Sequence, residues 1–117
     1  MIFLTETAMM RIEKKGNGLV AFLEGDLTIY NANAIRDFLL AFLDDSAELE
    51  LDLSKVNEMD SAAIQLLLSA CKQAGRQQKT LRLGALSDFA TEVFRLVNLK
   101  QFFKTPSATG AIQGGQV

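Results

Sequence analysis

The stretch "ELELDLSKVNEMDSAAIQLLLSACK", Glu48 to Lys72, contains both periodicities needed to place this chain in a fold class. Leu49, Leu51 and Leu53 alternate with Glu48, Glu50 and Asp52, so a strand with one apolar and one charged face is expected. From Ile64 the apolar positions recur every three to four residues, through Leu67, Leu68 and Cys71, which predicts an amphipathic helix running to about Gln78. Between them "SKVNE" breaks the alternation, and Asp60 or Ser61 stands where a helix N-cap is needed.

The same two signals extend outward. "MRIE" (Met10 to Glu13), "LVAFLEG" (Leu19 to Gly25) and "LRL" (Leu81 to Leu83) read as strands. "KKGNG" between the first two is a hairpin signal. Ile35, Phe38, Leu39, Phe42 and Leu43 form one helical stripe, and Phe89, Val93, Phe94 and Val97 form another. The order is ββαβαβα, with a possible short element at "KQFFK" (Lys100 to Lys104). Two strands each follow a helix, which implies right-handed parallel crossovers. A sheet covered on both faces would carry continuous apolar strands, whereas these carry charge at alternate positions. The expectation is an α/β two-layer sandwich: a mixed β-sheet with helices on one face and a largely wet opposite face.

At 117 residues the prior is one domain. Such a chain can bury roughly two thirds of its unfolded surface without staples. The domain is expected at residues 9–104, with an N-terminal extension at 1–8 and a flexible tail at 105–117, where "TPSATGAIQGGQV" is small and polar. Net charge is −2, with no cluster of Lys and Arg, which argues against a nucleic-acid partner. No run approaches the roughly 18 apolar residues of a membrane span, and the start lacks the basic and long apolar regions of a signal peptide. One cysteine allows no internal disulfide. A cytoplasmic protein with no membrane insertion is expected.

The chemistry of catalysis is thin. There is no histidine, the commonest general base and metal ligand. Cys71 falls on an apolar helical stripe and is expected to be a buried, inert thiol. There is no GxxxxGK[ST] or post-strand GxGxxG loop for phosphates. Asp44-Asp45 reads as a solvated helix end, and Glu48, Glu50 and Asp52 as a solvated row. Neither an enzyme, a metal site nor a cofactor is expected.

The Asp60-Ser61 junction supports two readings. As a cap, a side-chain oxygen satisfies an orphan amide, and Ala62 and Ala63 let the first turn approach other backbone closely. As a switch, the helix N-terminus favours an added anion, and a phosphate on Ser61 would bring about −1.5 to −2 charge beside Asp60. Three other residues sit at comparable junctions. Tyr30 and Asn31 lie between the second strand and first helix, where Asn31 is a plausible N-cap and Tyr30 is expected to pack. Ser87 is expected to cap the third helix, with Asp88 in its first turn. Phe102-Phe103 is expected to close the core rather than to form a docking patch.

Taken in order, "GDLTIYNA", "LELDLSKVNEMDSAAIQLLL" and "LRLGALSDFATEVFRLVNLKQFF" resemble a STAS domain, the fold of bacterial anti-sigma factor antagonists, over about Met9 to Phe103. The resemblance implies a mixed sheet with helices packed on one face. It implies a non-enzymatic regulator that binds a protein partner through the loop and helix starting at Asp60, beside the Tyr30–Asn31 turn and, more weakly, Ser87. In phosphoregulated members an anti-sigma serine kinase modifies the hydroxyl directly before a Gly of the loop. Here those positions are Ala62 and Ala63, so Asp60 and Ser61 match the pattern and the usual acceptor is absent. The Asp-Ser-Ala variant resembles a branch whose STAS subunit binds the ATPase of an ABC-type phospholipid transporter, and related domains accompany chemotaxis kinases. Ser61 is then a contact residue or an alternative acceptor. The remaining alternatives are a small-ligand or nucleotide sensor, as some STAS domains resemble, and a scaffold in which Asp60-Ser61 only caps a helix.

Overall fold

The computed structural model describes residues 2–103. Five strands and three helices follow one another as β1 (Ile2–Leu4), β2 (Ala8–Lys15), β3 (Gly18–Leu27), α1 (Ala32–Asp44), β4 (Glu48–Met59), α2 (Ser61–Arg76), β5 (Thr80–Leu86) and α3 (Asp88–Leu96). Short 3₁₀ turns occupy Ile29–Asn31 and Leu99–Phe102. The strands lie in one sheet in sequence order, β1 to β5. β1, β2 and β3 pair antiparallel; β3–β4 and β4–β5 pair parallel. The α/β architecture with a mixed sheet is therefore as expected, and the hairpin at "KKGNG" closes through Gly16 and Asn17, with Gly16 at φ 60. The tail at 105–117 lies outside the described residues.

β1 is an addition to the expected order, within the N-terminal extension. It is three residues long, too short to show an alternation. Its one inward residue, Phe3, meets Phe38 edge-on at 5.4 Å, while Ile2 and Leu4 are exposed.

The core gathers Met10, Leu23, Leu27, Leu49, Leu51 and Leu53 from the strands with Phe38, Phe42, Leu67 and Phe94 from the helices. All five apolar residues expected on α1 are buried. α2 differs. Its buried residues are Ala63, Leu67, Ala70 and Ala74, while Ile64, Leu68 and Cys71 pack only partly against the core. Alanines lie where the helix sits closest, and the larger side chains fill the flanks. On α3 likewise Ala90 and Phe94 are buried, Val93 is half-buried and Phe89 is exposed, as is Val97 just beyond its end. Phe103 closes the core beside Phe94, whereas Phe102 is exposed.

β4 also outruns its alternation. Beyond Leu53 the buried positions are Val56 and Met59, three residues apart, and the strand continues to Met59. Register shifts against β3 and β5 explain this. Each inserts a residue into one strand of a pair and resets which side chain faces the core. The break at "SKVNE" is thus a bulged strand rather than its end. On its other face two acids of the row are paired, Glu50 with Lys15 at 3.0 Å and Glu48 with Arg82 at 2.7 Å, while Asp52 accepts from the Ser54 N–H at 2.9 Å and hydroxyl at 2.7 Å.

Candidate functional site

Because β3, β4 and β5 run parallel, the chain leaves each of them at the same edge of the sheet. α1, α2 and α3 therefore all begin at that edge, which is where open α/β sheets place their ligand sites. The three junctions contain every residue the sequence suggests for a partner site: Tyr30 and Asn31, Asp60 to Ala63, and Ser87.

Asp60 joins the first two. Its extended backbone (φ −105, ψ −178) ends β4, and its side chain caps α2, with Oδ1 accepting from the Ala63 N–H at 3.1 Å. Oδ2 accepts from the Ile29 N–H at 2.8 Å. The Asp60 N–H donates to the Leu27 carbonyl at 3.1 Å. One residue thus satisfies the start of α2 and fixes the turn that follows β3. The Ile29 amide has the largest effect on the carboxylate, and with the amides of Ala63 and Ala62 it holds the pKa below the ordinary value against the opposing desolvation, which ranks second.

The Ile29–Asn31 turn is built from both sides. Thr28 Oγ1 accepts from the Tyr30 N–H at 3.3 Å, and the Asn31 N–H donates to the Thr28 carbonyl at 2.9 Å. Asn31 occupies the N-cap position of α1 but makes no side-chain cap bond, contrary to expectation. Its side chain is buried instead. Nδ2 donates to the Asp26 carbonyl at 2.5 Å and to Thr7 Oγ1 at 3.1 Å. Those bonds use the only buried polar side chain among the described residues to tie the β1–β2 connection to the turn. Gly25 makes this approach possible. It has φ +92, and a Cβ there would stand 2.2 Å from the Thr7 carbonyl oxygen.

The result is an inward Asn31 and an outward Tyr30. Tyr30 is 94% exposed, so it does not pack as expected, and Ile29 beside it is 60% exposed. Ser61, the first residue of α2, is also exposed, and its hydroxyl has no hydrogen-bond partner among the described residues. Ala62 is half-buried and Ala63 buried.

Ser87 is placed differently. It caps α3 as expected, Oγ accepting from the Ala90 N–H at 3.0 Å, and it also donates to the Val56 carbonyl at 2.7 Å. Its hydroxyl is committed to the fold. Asp88 and Phe89 beside it are exposed, with Phe89 39% accessible. Sequence reasoning missed Thr7, Thr28 and Ile29. Only Thr28 left a signal, a hydroxyl residue one place before a short turn.

Among the described residues, no group of three or more His, Cys, Asp or Glu is arranged to hold a metal ion, and no helix is long and apolar enough to cross a membrane. Cys71 is partly buried, and desolvation pushes its thiol up to about 12.

Residues 10–105 match the family model described as "Mlab, STAS domain". The chain belongs to the STAS domain family. Among its curated relatives, this STAS domain is 23% identical over 103 residues to the anti-sigma-B factor antagonist of Bacillus subtilis (strain 168), covering 87% of this chain and 94% of that one. Its fold is similar to that of an anti-sigma factor antagonist from Mycobacterium paratuberculosis, with a TM-score of 0.75, 19% identity and 85% of each chain covered. It is also similar to the anti-sigma factor antagonist SpoIIAA in its unphosphorylated form, with a TM-score of 0.67, 18% identity and 88% of this chain and 92% of that one covered. The likenesses to the two solved structures bear on the STAS fold.

Proposed function

We propose that this STAS domain is a non-enzymatic, cytoplasmic regulator that docks a protein partner, a serine kinase or an ATPase, with Ile29, Tyr30 and Ser61. The observation that carries this reading is the Asp60 carboxylate, which locks the start of α2 to the Ile29–Asn31 turn. An exposed aromatic, an exposed aliphatic and a hydroxyl with no partner among the described residues are thereby held on one preorganised edge. Fixing such groups before binding lowers the ordering cost of association. Tyrosine is also a favoured interface anchor. Ser87 lends this edge its geometry rather than its hydroxyl.

Asp-Ser-Ala-Ala at residues 60–63 supports Ser61 as a contact residue. Ala62 stands where phosphoregulated members have their acceptor, so an anti-sigma kinase that modifies that position has no hydroxyl to modify. The Asp-Ser-Ala variant favours a transporter ATPase as the second reading of the partner. A chemotaxis kinase is the third.

The test is affinity capture from cytosol of the source organism, with ATP or ADP, on wild-type, Ser61→Ala and Ser61→Glu baits. A nucleotide-binding protein held by wild type and Ser61→Ala but released by Ser61→Glu supports the reading. Its identity separates a kinase from a transporter ATPase. Equal capture by all three baits would place the interface elsewhere.

A further inference from the structure

A second surface lies away from the Tyr30–Ser61 edge, in the groove between α1 and α2, of about 480 Å³. Its floor is Leu39, Leu43 and Ala70, all buried. Leu40, 51% exposed, and the half-buried Leu66 line it from opposite helices. Its polar lining is one-sided in charge. Arg36 on α1 and Lys72 and Arg76 on α2 are exposed and line it, and no acidic residue does. The whole chain has 14 acids and 12 Lys and Arg, so three cations with no acid on one apolar groove run against its net charge of −2. Within the domain these cations have weak partners. Arg36 reaches Asp37 at 3.5 Å, and Arg76 donates to the neutral Gln73 Oε1 at 2.7 Å.

We propose that this groove is a docking site for an acidic amphipathic helix of a protein partner. The lining runs from Arg36 to Leu43 on one side and from Leu66 to Arg76 on the other. At 1.5 Å per residue that is about 10 to 15 Å, or two to three helical turns. A guest helix of that length lays two or three apolar anchors on the leucines, in the manner of helix-in-groove recognition. Because the cations belong to both walls, the guest must carry carboxylates on both sides of its apolar stripe. Charge of this kind sets partner choice and association rate.

The test is a phage-displayed library of three-turn helices, randomised in sequence and selected on the full chain. Selected helices should carry Asp or Glu on both flanks of a leucine-like stripe. Binding should weaken with salt, and both Lys72→Glu/Arg76→Glu and Leu40→Gln should reduce affinity at least tenfold while thermal melting confirms folding. Neutral or basic selected helices, or affinity unchanged in both variants, would overturn the proposal. Two further results would overturn it by naming another occupant. One is binding of phosphatidylglycerol vesicles that Lys72→Glu/Arg76→Glu abolishes when no helix is selected. The other is a dimer in sedimentation that the same variant dissociates. The Tyr30–Ser61 edge is untouched by these variants, so failure here leaves the proposed function standing.

Discussion

Asp60 Oδ2 and the Ile29 amide nitrogen are 2.8 Å apart across 31 residues of sequence, and this bond couples the first two helix-starting junctions. A carboxylate can serve both Ile29 and Ala63 because each oxygen accepts. A carboxamide cannot, since one of its two ends is a donor. Asp60→Asn should therefore keep one bond and lose the other. The expected outcome is a lower melting temperature, with faster hydrogen exchange at Ile29 or Ala63 but not at the amides of β4's middle. Unchanged exchange at both amides would show that the coupling is weak.

The same bonds give a pH dependence. Hydrogen bonding from Ile29 first, and then from Ala63 and Ala62, lowers the folded pKa of Asp60 below its ordinary 3.8. A group with a depressed folded pKa adds stability that is present above the unfolded value and lost as pH falls through the folded one. Acid unfolding of wild type should thus include an Asp60 contribution below about pH 4 that Asp60→Asn lacks. A carbon-13 titration of the Asp60 carboxyl with a midpoint at or above 3.8 would contradict the assigned bonds.

Ser87 makes a contrasting prediction. Its Oγ both caps α3 and donates to Val56, so removing it leaves an amide and a carbonyl unsatisfied. Ser87→Ala should cost about 1 to 2 kcal/mol by chemical denaturation, from a lost cap and a part-buried bond. Partner capture should be unaffected. A loss of capture at full stability would return Ser87 to the interface.

How much of this was legible depends on how local each signal is. The α1 stripe was fully readable, because five large apolar residues at helical spacing have one way to be buried. The α2 face is harder to read, because large side chains suggest burial, whereas three of its four buried residues are the alanines at positions 63, 70 and 74. β4 beyond Leu53 was lost because bulges depend on the register of neighbouring strands. Asp60 and Ser87 were readable as caps, since capping is a rule about adjacent residues. Their second bonds, to Ile29 and Val56, link positions 31 residues apart in each case and leave no local pattern. Aromatics usually pack, so the sequence points to a packed Tyr30; its exposure follows from Asn31 taking the inward place.

Gly25 tests how far the β1–β2 connection supports the site. At φ +92 it lies in the region that disfavours side chains, and an added Cβ would meet backbone that cannot swing aside. Gly25→Ala should destabilise by more than about 1 kcal/mol in equilibrium denaturation. It should also disturb the Thr7–Asn31 contact, visible as shifts in the Asn31 side-chain amide resonances. A stable variant with unshifted Asn31 signals would mean that the close approach of Thr7 to Gly25 is free to relax.

Tyr30 separates recognition from stability most cleanly. With 94% of its surface exposed it contributes little to the fold, and its backbone amide, not its ring, is what Thr28 holds. Tyr30→Ala should then change stability by no more than about 0.5 kcal/mol. An anchoring aromatic at an interface is worth about 2 kcal/mol or more when truncated. Once a partner has been captured, Tyr30→Ala should therefore weaken its binding at least tenfold in calorimetry, with Ser61→Ala close to wild type. Equal affinity for Tyr30→Ala and wild type would remove Tyr30 from the docking edge. Ser61 and Ile29 would then be left to carry the docking edge beside the Asp60 cap.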